Sequence, residues 1–304
     1  MSECPWSFII NPSAGARSGQ RTARLVDSIR ERFPDAECLP TGQPGDALAW
    51  ARARRDDAGR VVVAVGGDGT VNSVACGLAG GCTRMAVIPA GSGNDFARML
   101  GMPRRFAGAL DVLADCKPLP VDFARVRVVD ARGVNIQSGF VNSLGLGLEA
   151  RIAARAGRAR WLRGFPRYLA AALAELLTDR PAAMVIEQAG QRIDQRQVLV
   201  ALANGRWAGG GFMLAPAARL DSGELVLTRA DPLPLWRLLM LLPTTLWGGH
   251  VGKTGVHQAS VRNLRVDCPD GVAVHLDGEV VTETAVHLDV AVQPGALKVL
   301  APGR

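Results

Sequence analysis

The sequence predicts two domains of different class, a doubly wound α/β domain on a parallel sheet followed by a mainly β domain. Strand, loop and helix patterns alternate through roughly the first hundred residues. Two glycine-containing loops follow apolar strands in the same way, at 66–72 and 89–95. From about residue 126 onward, short alternating strands replace the helical periodicity.

Residues 6–10 form a short apolar strand that runs into the turn sequence Asn11-Pro12-Ser13-Ala14-Gly15. Leu25, Val26, Ile29 and Phe33 then recur at helical spacing among arginines. Thr41 opens a loop capped by Asp46, and a second helix follows through Arg55. Residues 61–65, Val-Val-Val-Ala-Val, read as a strand buried on both faces, the kind found in parallel sheets.

Gly66-Gly67-Asp68-Gly69-Thr70-Val71-Asn72 comes next, with Val71, Val74, Ala75 and Leu78 at helical spacing behind it. The glycines therefore lie between a strand's carboxyl end and a helix's amino end, where unpaired N–H groups and the helix dipole favour a phosphate. Asp68 is discordant, because a carboxylate beside a phosphate repels it unless a cation or an opposing donor network intervenes. The inference is a nucleotide handled with Mg²⁺. No Gly-Lys-Ser/Thr marks a P-loop, and the third glycine of the dinucleotide fingerprint is missing. A plain glycine turn joining strand to helix is the competing reading.

The unit repeats. Residues 85–88 form a strand, Pro89-Ala90-Gly91-Ser92-Gly93-Asn94-Asp95 a second small-residue loop, and a helix starts at Phe96. Two such loops at the same end of one sheet predict a shared site. Pro118 and Pro120 mark the exit, and strands are expected at 140–143, 184–187, 198–203, 225–228, 261–266, 272–276 and 286–292. Between them, Arg151, Arg155, Arg158, Arg160, Arg163 and Arg167 precede any acidic residue up to Glu175, with Trp161, Leu162 and Phe165 interspersed. That mixture suits an anionic membrane interface, and equally a solvated basic face on a helix packed by its Leu/Ala side.

Composition bounds these readings. The 304 residues are 48% hydrophobic, enough for two cores, and carry a net charge of +7 with a pI near 9.6, which favours an anionic partner. Aromatics are 5% with a single Tyr, so a base-stacking nucleic-acid surface is not expected. Six cysteines without a Cys-x-x-Cys pair, in a chain with no signal peptide, predict reduced thiols and a cytoplasmic protein. His250, His257, His275 and His287 make no zinc pattern and read as structural. The apolar run at 233–247 contains Pro234, Arg237 and Pro243 and falls short of the roughly 20 residues of a membrane span. If the protein meets a membrane, it lies on it.

Asn11 to Gly15, Gly66 to Asn72, Pro89 through Phe96, Asn204 with Gly209-Gly210-Gly211-Phe212 and Ala215-Pro216, and Leu276-Asp277-Gly278-Glu279 stand in an order that covers nearly the whole chain. In these motifs the sequence resembles bacterial lipid kinases of the diacylglycerol kinase catalytic-domain type, related to sphingosine kinases and sharing the Gly-Gly-Asp-Gly core with NAD kinases. The resemblance implies an NAD kinase-like α/β domain over 1–124, a β-sandwich domain over 125–293, and a tail, 294–304, that returns to the first domain. It implies ATP and Mg²⁺ in the cleft between them.

By motif match, Asn11, Thr41, Gly66, Gly67, Asp68, Gly69, Thr70, Asn72, Gly91, Ser92 and Asn94 would contact the nucleotide. Asp68, Asp95 and Asp122 would reach Mg²⁺ through water. Asp277 would be the base toward a lipid hydroxyl, with Glu279 beside it. Read without the family, Asp277-Gly278 between apolar runs is a hairpin turn. Relatives carry a structural metal at an Asp-Asp-Gly loop, whereas this chain reads Asp221-Ser222-Gly223, so either Asp221 takes over as ligand or the site is absent.

The implied function is an ATP-dependent kinase for a diacylglycerol-like lipid, held peripherally at the inner face of the cytoplasmic membrane. A kinase for a soluble acceptor such as NAD is the alternative, and a catalytically silent nucleotide or membrane sensor is a third. No nucleic-acid partner is expected. The acceptor and the oligomeric state, with a homodimer as one option, stay open.

Overall fold

The structure, a computed structural model, describes residues 5–12, 19–158, 164–178 and 180–303. Cys4, Ser13, Ala14, Gly15, Arg160, Trp161, Leu162 and Arg163 lie outside the described residues. The chain forms two compact units, 1–121 with 295–304, and 122–294. The resemblance implies a first boundary at 124/125. The structure draws it before Asp122, inside a continuous strand, so no turn residue marks it.

The first unit alternates β1 (Trp6–Ile10), α1 (Gly19–Arg32), β2 (Glu37–Pro40), α2 (Asp46–Ala53), β3 (Val61–Gly66), α3 (Asp68–Leu78), β4 (Arg84–Pro89), α4 (Asp95–Met99) and α5 (Phe106–Val112). Its strands are parallel in the order β2-β1-β3-β4, and Lys298 and Val299 of the last strand add beside β4. All six residues of β3 are buried, which is why that stretch is apolar without alternation. β2 leaves no sequence pattern: it is a four-residue strand bonded in parallel to β1. Its Glu37 accepts from Ser7 at 2.8 Å and from Arg54, and the Arg54 hydrogen bond leads the groups that lower its carboxyl pKa.

Registers Ile10↔Pro40, Ile10↔Val65 and Val65↔Ile88 end the strands at a common level. The chain turns one way from β1 to β2 and the other way from β1 to β3. This makes the β1/β3 edge the switch point at which doubly wound sheets take ligands.

The second unit begins within β5 (Lys117–Asp130) and continues through β6 (Asn135–Phe140), β7 (Ser143–Gly147), α6 (Leu148–Arg158), α7 (Phe165–Leu177), β8 (Ala182–Gln188), β9 (Gln191–Gln197), β10 (Leu199–Ala203), β11 (Leu225–Ala230), α8 (Leu235–Thr244), β12 (Val256–Val261), β13 (Asn263–Leu276) and β14 (Glu279–Ala301). β12, β11, β10, β7, β13 and β14 pair antiparallel in that order. Register shifts after Asp267 let β13 pair with β8 along 265–267 and with β7 along 274–276. One bent strand thereby serves both faces of a shared core that includes Phe140, Leu144, Leu202, Val266 and Leu288. Cys268 sits in it, and burial pushes its thiol up to about 12.

The arginine-rich stretch has partners inside its own unit. Arg151 and Arg155 on α6 pair with Glu175 of α7 at 3.4 and 2.5 Å, and Arg158 pairs with Glu283 at 3.0 Å. Ala150, Ala153 and Ala156 face the interior. Of the two readings of that stretch, the basic face on a packed helix describes these three residues.

His287 bonds Asp267 through Nδ1 at 2.6 Å and Asp289 through Nε2 at 2.9 Å. Burial lowers its pKa, but the two carboxylates outweigh it and the net shift is upward. A raised folded pKa adds stability that is complete below the unfolded value near 6.5 and is lost as pH rises through the folded value. His287→Asn is therefore expected to cost on the order of 1 kcal/mol or less at pH 5.5, given the half-exposed partners, and almost nothing at pH 9. Urea unfolding at the two pH values checks this.

Candidate functional site

Where the parallel strands of the first unit end, the chain supplies Asn11 after β1, Thr41 after β2, Gly67 after β3 and Gly91 after β4. Thr41 donates its N–H to the Ile10 carbonyl and Asn11 donates to that of Val65. The Asn11 side-chain amide donates to Thr70 Oγ1 at 3.1 Å, which ties the first loop to the first turn of α3. Gly67 is the N-cap of this eleven-residue helix, so its opening N–H groups have no partners within the helix and carry the positive end of the dipole. Asn72, one turn on, accepts the Cys76 thiol at 3.6 Å.

The two glycine loops touch backbone to backbone. A Cβ on Gly91 would stand 2.4 Å from the Gly67 Cα, and one on Gly67 would stand 3.2 Å from the Gly91 Cα. Asn94, in the left-handed region at φ 57°, brackets Gly91: its Oδ1 accepts the Gly91 N–H and its amide donates to the Gly91 carbonyl, both at 2.9 Å. Ser92 is exposed beside them.

Asp68 completes the union. Its Oδ2 accepts the Asn94 N–H at 2.9 Å and its Oδ1 the Phe96 N–H at 3.4 Å. The sequence motivates a cation for this carboxylate; the structure supplies two backbone donors at the start of α4, where a negative charge is favoured. Asp95 is buried next to it. Among the described residues no group of three acidic, histidine or cysteine side chains is assembled that could cage a metal. A cleft of about 730 Å³ opens at the opposite ends of these strands, against Trp6, Glu37, Arg54 and Arg60. There Glu37 pairs with Arg54 and Arg60, and Arg60 also with Asp57, and the cleft lies at the wrong end of the sheet for a ligand.

In the second unit the focus is Asp277. With Gly278 it forms the two-residue β13–β14 turn, φ 47° and 86°, so the hairpin expectation is met. Its carboxylate is also buried and accepts three backbone N–H groups: Asn142 and Ser143 on Oδ1 at 2.9 and 2.8 Å, and Val141 on Oδ2 at 3.0 Å. Three donors on a group with about four acceptor sites fix its orientation. Glu279 begins β14 and is exposed.

Around that turn, Asn142 donates to the Trp207 carbonyl at 2.9 Å. Gly211 runs so close to Phe165 that a Cβ there would meet the ring at 2.6 Å, and the Phe165 and Phe212 rings lie 5.0 Å apart. Asn204, fully buried, donates to the carbonyls of Asp122 and Val141 at 2.9 Å each. The Asp122 carboxylate accepts the Gly223 N–H at 2.5 Å. In the same loop Asp221 pairs with Arg219 at 3.2 Å.

Sequence reasoning read His275 as structural and passed over Glu149. His275 is buried, accepts the Gly278 N–H on Nδ1 at 3.1 Å, and has Nε2 3.4 Å from Glu149. Its place two residues before Asp277, at the end of the strand that leads into the turn, was the available signal. The 141–143 strap left no signal, because its backbone rather than its side chains does the binding.

Residues 5–126 match the family described as diacylglycerol kinase catalytic domain, and residues 142–301 match the YegS C-terminal NAD kinase beta sandwich-like domain. A diacylglycerol kinase of Mycobacterium tuberculosis is 32% identical over 97% of this chain and 94% of its own length. A probable lipid kinase YegS-like protein of Klebsiella pneumoniae is 31% identical over 74% of each. Among solved structures, a diacylglycerol kinase from Bacillus anthracis superposes with a TM-score of 0.78 at 23% identity, covering 98% of this chain and 97% of that one. Yeast NADH kinase superposes at 0.50 and 12% identity, covering 99% and 83%. These two likenesses concern the fold: an NAD kinase-like α/β domain followed by a β-sandwich.

Proposed function

The chain belongs to the lipid-kinase family that joins a diacylglycerol kinase catalytic domain to a β-sandwich-like domain, and from that membership we propose that it transfers the γ-phosphate of ATP to the hydroxyl of a diacylglycerol-like lipid. The observation that carries the reading is the match of both domains, in order, together with a buried, rigidly oriented carboxylate at Asp277.

In this reading the α3 N-terminus and the Gly67 and Gly91 backbones hold the nucleotide phosphates, with Asn11 and Thr70 locking the loop behind them. Magnesium is normally held by one or two carboxylates, substrate phosphates and several waters rather than by a protein cage. Asp68 and Asp95 fit that mode as neighbouring carboxylates at the joined loops, with Asp68 oriented by the Asn94 and Phe96 N–H groups. Bound there with ATP, the ion would neutralise charge on the phosphoryl oxygens. Asp277 takes the proton of the lipid hydroxyl as its oxygen attacks the γ-phosphorus, and the bond to ADP breaks. The lipid acceptor supports a peripheral place on the inner membrane face, and no helix among the described residues is long and apolar enough to cross a membrane.

The test is transfer from labelled ATP and Mg²⁺ to a panel of diacylglycerol, monoacylglycerol, phosphatidylglycerol, a sphingoid base and NAD. Label is expected in a lipid. Label in NAD and in no lipid overturns the acceptor class. Nucleotide binding without any transfer identifies a silent sensor.

A further inference from the structure

Of the ten exposed large apolar side chains among the described residues, nine lie in two stretches, 173–177 and 235–251. Single exposed apolar residues are ordinary; a concentrated face marks an interaction surface. The face is built on α8, a helix with no buried residue. Leu238 and Leu242 rest against the cluster of Leu148, Leu176, Val198 and Ala230. The outer side carries Leu235, Trp236, Leu239 and Met240, neighbours at helical spacing, and the chain continues into Leu246 and Trp247. Trp236 is 57% exposed, Met240 67% and Trp247 63%. α7 packs on α8 and extends the face with Leu173 and Leu177.

We propose that α8 and the turn residues 245–251 after it form an interfacial patch that seats the protein on an anionic phospholipid bilayer, with Trp236, Met240 and Trp247 inserted among the acyl chains. Charge selects this occupant. No Asp or Glu occurs between Asp231 and Asp267, while Arg237 and Lys253 do. Arg237 holds its guanidinium 5.2 Å from the Trp236 ring centroid, a cation at the rim of an aromatic anchor, as suits the headgroup level. Ten residues cannot span a bilayer, so the helix lies in its plane. A second copy on a two-fold axis would bring like cations to the same face and leave them facing each other. The choice of a bilayer rests on the lipid-kinase reading, whereas the exposed face does not.

Co-sedimentation with phosphatidylglycerol/phosphatidylcholine vesicles tests the proposal, comparing wild type with Trp236→Glu/Met240→Glu. The wild type should bind, and the double variant should bind at least about tenfold more weakly. Both should phosphorylate a monomeric short-chain diacylglycerol alike. Brominated acyl chains should quench the wild-type tryptophan fluorescence, and Trp236→Phe/Trp247→Phe should lose that quenching; this arm decides if the Glu variant does not fold. Short-chain phosphorylation without vesicle binding, or vesicle binding unchanged by the Glu pair, overturns the docking surface. So does a concentration-dependent dimer that the Glu pair abolishes in a protein that ignores vesicles. Quenching with no lipid phosphorylated in any form keeps the docking surface and overturns the kinase reading.

Discussion

Asp277→Asn is expected to lower turnover by about 10²–10⁴-fold, the usual worth of a positioned base, and to destabilise the protein at the same time. An amide matches the carboxylate in size but presents one acceptor oxygen and one NH₂ group. Whichever way it turns, the NH₂ faces either the Val141 N–H or the N–H pair of Asn142 and Ser143. A buried donor left facing a donor costs about 1–3 kcal/mol. The turn should survive, because Asn tolerates the left-handed conformation at φ 47°. Thermal unfolding, nucleotide titration and turnover at a temperature far below the transition separate the two effects. Wild-type turnover in a destabilised variant would leave Asp277 a structural role only.

Gly91→Ala is expected to weaken nucleotide binding at least tenfold, about 1.4 kcal/mol, and to cost about 1–3 kcal/mol of stability. The new Cβ would sit 2.4 Å from the Gly67 Cα and 3.0 Å from Asn94 Oδ1, and the first of these is backbone that cannot rotate away. Relief requires the two loops to part, which also pulls Asn94 from Asp68. Gly101→Ala is the control. That glycine has φ 75° and nothing within 4 Å of its absent Cβ, so the substitution strains the backbone by about 1 kcal/mol and should leave nucleotide affinity unchanged. Titration calorimetry and urea unfolding on both variants measure the contrast.

β1, β3, β4 and the glycine loops of the first unit were legible because each is written in a short window: an unbroken valine run for a doubly covered strand, small residues where strand meets helix. β9, Gln-Arg-Ile-Asp-Gln-Arg-Gln, was not legible, since it has almost no apolar alternation and is held by pairing with β8. α8 was visible only as an apolar run too short and too proline-marked to span a membrane. Its apolar residues are not sorted to one side, so periodicity could not assign an inner face.

The candidate sites divide in the same way. Residue types and order identified Asp68 and Asp277 as carboxylates in unusual company, and Asp277-Gly278 as a turn. They did not say what surrounds either group. The donors to Asp68 come from 26 and 28 residues away, and those to Asp277 from 134 to 136 residues away.

By itself, then, the sequence determined the two fold classes, the order of the loops and the candidate side chains within them. The tertiary structure decided which backbone N–H groups close on those carboxylates, that Arg151, Arg155 and Arg158 are answered by Glu175 and Glu283, and that the outer side of α8 stays uncovered. The physical reason is range. Propensity and periodicity act within about eighteen residues, whereas partnership and exposure depend on where distant segments of the chain return.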